Sequence, residues 1–94
     1  MRKTDFEESK GNFGKSIQFA PKKTVMLDFE KFGKFLKKKE YPIEIETSSL
    51  MVFKVGGLQI TLNSDGKTVV RTQSWAIAEN AFREILPGIS RSLK

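Results

Sequence analysis

Seven lysines crowd residues 22–39: Lys22 and Lys23, then Lys31, Lys34, Lys37, Lys38 and Lys39. Ammonium groups gathered on one surface neutralise phosphates and release their condensed counterions. Binding of that kind is salt-dependent and reads no base identity. The bland reading of the same run is a solvated helix face. Three aromatic residues, Phe35, Tyr41 and Trp75, have the flat rings on which bases stack. Trp75 aligns with an apolar helix face and is expected in the core. Phe35 lies off the main stripe of its helix, so it either stacks, meets the N-terminal segment or packs.

Glu44 and Glu46 sit two residues apart, which places both on one face of a strand. Paired carboxylates perform acid–base chemistry when a pocket separates their pKa values. On an open sheet, pairing across strands with Lys54 or Arg71 is the simpler role. Ser48-Ser49 and Ser64-Asp65 have turn chemistry and no base to activate a hydroxyl. Gly56-Gly57 and Asp65-Gly66-Lys67 lack the spacing of a phosphate-cradling loop, and neither opens a helix.

The 94 residues contain no His and no Cys. That removes disulfides, thiol nucleophiles, Cys/His zinc sites, Ser-His-Asp triads and imidazole catalysis. The chain is expected to be a binding module, not an enzyme, with no cofactor and no metal. Seventeen Lys+Arg against eleven Asp+Glu give a net charge of +6, which favours an acidic partner. Neither an apolar targeting segment nor a membrane-length apolar run is present, so a cytoplasmic protein without membrane contact is expected.

The elements that must position these groups follow from periodicity. Residues 1–14 are polar and are expected to form a flexible arm, with Phe6 and Phe13 as its apolar anchors. Residues 15–94 form one domain. Ser16-Ile17-Gln18-Phe19 alternates as a short strand, ended or held at an edge by Pro21. Val25, Phe29, Phe32 and Leu36 form a helical stripe, capped by Asp28 or Thr24, with Lys31, Lys34 and Lys38 opposite. Gly33, near that stripe, can permit close approach of a neighbour. After Pro42 four strands follow, with turns at Thr47-Ser48-Ser49, Gly56-Gly57 and Asn63-Ser64-Asp65-Gly66. Ser74 caps a second helix whose face is Trp75, Ala78, Phe82 and Ile85, and Pro87-Gly88 ends it. The class is α+β, in the order β-α-β-β-β-β-α: a curved antiparallel sheet of four or five strands with two helices on one face. The expected core adds Ile17, Phe19, Ile43, Ile45, Phe53, Leu58, Ile60 and Leu62. Glu44 and Glu46 then point to the open face.

Leu27-Asp28 at the first helix, Tyr41-Pro42 before the second strand and Ser64-Asp65-Gly66-Lys67-Thr68-Val69 at the hairpin carry a resemblance. Over about residues 15–87 the chain resembles one half-repeat of the TATA-binding-protein fold, and is similar to small archaeal proteins of that fold. The resemblance implies a sheet face that meets DNA, with Tyr41 and Leu62 near the places of its wedging residues. Tyr41, Lys54 and Arg71 are the corresponding sheet-face candidates. The carboxylates of Glu44 and Glu46 on that face oppose a phosphate backbone. The favoured expectation is therefore weak binding of DNA or RNA through the lysine-rich helix. The alternative is association with another protein or with a second copy, through exposed sheet edges.

Overall fold

The computed structural model describes residues 1–11 and 14–94, and the chain folds as an α+β domain. A 3-10 turn, Lys3–Asp5, leads into β1 (Phe6–Lys10) and β2 (Ile17–Pro21). Helix α1 (Phe29–Lys38) follows, then β3 (Ile43–Glu46), β4 (Leu50–Val55), β5 (Leu58–Asn63) and β6 (Thr68–Val70), and helix α2 (Trp75–Arg91). The sheet has six strands in the order β1-β2-β6-β5-β4-β3, and every neighbouring pair is antiparallel.

Register places Ile17 and Phe19 beside Val70 and Thr68, and these beside Ile60 and Leu62. Phe53 and Met51 continue the same face. Both helices lie on it: the Phe82 ring of α2 stacks on Phe19 at 4.2 Å, and Phe32 of α1 meets Phe53 at 5.6 Å. Fully buried Phe19, Phe32, Phe53 and Phe82 thus centre one core between sheet and helices.

Local chemistry explains the joints. Gly56 and Gly57, at φ +58° and +81°, make the two-residue turn between β4 and β5, where a hairpin needs two left-handed residues. Asp28, rather than Thr24, caps α1: its carboxylate accepts the N–H groups of Glu30 and Lys31. Val25 of the expected stripe precedes the helix. Ser74 caps α2 by accepting the N–H of Ile77 at 3.2 Å.

Several expectations are corrected. The arm expected over residues 1–14 contains an ordered edge strand, giving six strands instead of four or five. Phe6 anchors it, buried edge-on against Phe82 at 4.8 Å. Lys3 ties the turn to both layers, bridging Glu8 at 2.6 Å and Glu79 of α2 at 3.3 Å. The bond to Glu8, ahead of Glu79, holds its ammonium above the usual lysine pKa despite opposition from desolvation. Phe13, expected as a second anchor, lies outside the described residues.

Helix α2 does not stop at Pro87-Gly88 but runs to Arg91. Pro87 costs the helix one backbone hydrogen bond and crowds the carbonyl one turn back, while buried Ile89 and the Ser92 hydroxyl bond to Gly88 O (2.7 Å) hold the last turn. Trp75 is 41% exposed rather than core. At 100° per residue it stands about 80° round from Ile85, so the stripe drifts away from it at the helix start. Ile43, Phe29 and Leu58 are half-buried against the core.

Ile45 is 50% exposed because β3 carries a bulge: Ile43 pairs with Phe53, but Ile45 pairs with Val52. The extra residue, Glu44, reverses the alternation beyond it. Ile45 therefore joins Val52 on the open face, and Glu46, paired with Met51, turns to the helix side near Gly33.

Candidate nucleic-acid interface

The lysine row rests on the period of α1. Phe32, Phe35 and Leu36 bury one side of the helix, leaving Lys31, Lys34 and Lys38 on the other. These three stand at i, i+3 and i+7, spanning roughly 10 Å of helix axis at 1.5 Å per residue. All three are exposed, and none forms an ion pair among the described residues. Lys37 flanks the row and Lys39 occupies the C-cap, where the helix dipole favours cations. Of the acids at the other end of α1, Asp28 is committed to capping.

The remaining two lysines stand apart. Lys22 and Lys23 lie in the segment between β2 and α1, ahead of the cap, and line a hollow with Lys67. Lys67 was not among the sequence candidates. The turn that carries it folds against Pro21 and Val25, a meeting across some forty residues that no local spacing announces.

The open sheet face has a different character. Arg71 Nη1 donates to Gln59 Oε1 at 3.1 Å, and Gln59 Nε2 donates to Glu44 Oε1 at 3.4 Å. Glu44 Oε2 lies 3.9 Å from Lys54 Nζ. Lys54 and Arg71 are thus present as expected, but each is tied into a polar ladder across β3 to β6. Glu7 shares this face at its far edge, so the face carries two carboxylates and two cations.

Tyr41 is not on the sheet face. It follows α1, half-buried against the core, and its hydroxyl donates to Glu84 of α2 at 3.4 Å. Burial, then the neighbouring Glu84 charge, pushes its pKa upward. Leu62, expected near a wedging position, is fully buried under the helices, because its register sets it beside Met51 and Thr68. Phe35 is buried too, packed against Gly88 of α2. Gly33 is not the point of close approach; a Cβ there would meet only ordinary contacts at 3.8–3.9 Å. Trp75 is exposed, but it shares the α2 flank of Glu79 and Lys3, away from α1. The stacking candidates are therefore not gathered with the lysines.

Among the described residues no cluster of three or more His, Cys, Asp or Glu side chains can hold a metal ion. No helix among them is long and apolar enough to cross a membrane. No protein-family model, curated protein or solved structure matches the chain.

Proposed function

We propose that this protein is a non-enzymatic module that binds nucleic-acid phosphates weakly through the outer face of α1. One observation carries the reading: Lys31, Lys34 and Lys38 share an exposed helix face without ion-pair partners among the described residues, whereas the open sheet face balances its charges. Lys37 and Lys39 add charge beside the row, and among the described residues no exposed aromatic ring stands with them to read bases. Three neutralised phosphates predict a log–log salt slope of about −2.7 on duplex DNA.

The test is a salt series of anisotropy titrations with double- and single-stranded DNA and RNA. Changing Lys34 and Lys38 together to Glu should weaken binding and flatten the slope while the far-UV spectrum stays native. If no oligonucleotide binds at low salt, the reading fails.

A second reading, protein association, draws on Ile45, which the bulge leaves half-exposed beside Val52 on the open face. Edge pairing supports it less. The bulge interrupts β3, Pro42 stands just before it, and the Phe6 N–H at the head of β1 is already bonded to Lys3 O.

A further inference from the structure

We propose that the hollow between the β2–α1 segment and the β5–β6 turn is an anion site that takes a phosphate group. Lys22, Lys23 and Lys67 line it, and none of the three is ion-paired among the described residues. Its volume is about 290 Å³. One water occupies roughly 30 Å³ in the liquid, so a tetrahedral oxyanion fits with part of its hydration.

The walls are held in place without the anion. Leu27 N–H donates to Ser64 O at 2.8 Å, joining the segment to the turn. Gly66 has φ +90°, and a Cβ there would come within 2.8 Å of Pro21 and Val25, so the two walls touch at a residue that must be glycine. Lys22 N–H donates to Asp5 O at 2.9 Å, fixing the other side. Ala20, Pro21 and Val25 supply the apolar part of the lining.

Two carboxylates stand nearby, and both are engaged. Asp65 Oδ1 accepts the Lys67 N–H at 3.0 Å, and Asp5 Oδ2 accepts the Arg2 N–H at 2.7 Å. Three lysines against these two acids leave the site positive. Crowded ammonium groups repel one another, and a multiply charged anion relieves that repulsion where a monovalent one does so less. The chemistry selects a phosphate group, whether free or part of a nucleic-acid backbone. The site stands independently of the row on α1.

The experiment is a pyrophosphate titration of the ¹⁵N-labelled chain, with sodium chloride matched for ionic strength as the control. Pyrophosphate should shift the amides of residues 22–24 and 66–67, and chloride should not. Lys67→Gln should weaken binding about three- to fivefold, the range of one exposed charge, and Lys23→Gln with Lys67→Gln should abolish it. Asp65→Asn keeps the oxygen that accepts the Lys67 N–H and removes a repelling charge, so it should tighten binding about twofold or more.

The proposal is overturned if Asp65→Asn weakens binding, or if pyrophosphate moves α1 amides as much as those of the hollow. A duplex oligonucleotide that shifts the same hollow amides identifies a backbone phosphate as the source. Shifts with pyrophosphate alone identify a free phosphate compound. The Lys34→Glu, Lys38→Glu chain should still bind pyrophosphate in the hollow, so loss of the α1 reading and loss of this one are separable.

Discussion

The ring of Phe35 occupies the space that a Cβ on Gly88 would need. The absence of a side chain at Gly88 thus lets α1 and α2 approach closely enough to bury Phe35, which is only 9% exposed. Gly88→Ala should force the helices apart or the ring off its rotamer, at a cost of about 1–3 kcal/mol. Urea unfolding measures it. A stability equal to or above the parent would show that the contact is slack.

Phe6 should matter as much as a central core residue although it begins an edge strand. It is 4% exposed and packs on Phe82. Phe6→Ala should cost about 3–5 kcal/mol. Hydrogen exchange should show β1 amides losing protection first. If stability is unchanged, β1 contributes no more than the flexible arm its composition suggests.

Glu40 sits at φ +61°, just past the end of α1, where Tyr41 N–H reaches Leu36 O and Glu40 N–H reaches Lys37 O. This helix ending is ordinarily filled by glycine, because a left-handed residue with a Cβ is strained by about 1–2 kcal/mol. Glu40→Gly should raise the thermal midpoint, at roughly 4–8 °C per kcal/mol gained in a domain this size. A fall in the midpoint would mean that the Glu40 side chain holds something in place.

Tyr41 is the only tyrosine, so tyrosinate absorbance reports on it alone. Burial and Glu84 raise its folded pKa above the ordinary tyrosine value of 10.0. The unfolded chain therefore loses this proton first as pH rises. Its contribution to stability is full below pH 10 and is lost as pH climbs through the folded pKa. Tyr41→Phe should show a shallower alkaline loss of stability. A native titration at or below the unfolded one would contradict the burial.

Much of this was readable where one residue decides one local geometry. Asp28 and Ser74 cap as their positions suggest, Gly56-Gly57 turns the central hairpin, and alternation in β4 and β5 sets the buried face. The lysine row was legible because it is a helical period and nothing else. The misses share a different cause. β1 was hidden because an edge strand buries so little, and Phe6 alone carries its signal. Ile45 and Glu46 were misplaced because alternation counts residues and cannot see one that is unpaired. Pro87 reads as a stop, but the packing of Ile89 and Gly88 outweighs the missing hydrogen bond. Lys67 joins Lys22 and Lys23 only through tertiary structure.

The bulge makes β3 a strand written in two phases. Ile43-Glu44-Ile45-Glu46 looks like a simple repeat, yet its two isoleucines end on opposite sides of the sheet. What the open face displays there is set by a count of residues and not by their kinds. Removing Glu44 would restore plain alternation one residue to one, and Ile45 would still stand opposite Val52 on the open face with Glu46 opposite Met51. A single-codon deletion would then take from the open face the carboxylate that holds Lys54 and Gln59 and leave Ile45 displayed there, so evolution can turn this corner from acidic to oily without changing a single remaining side chain.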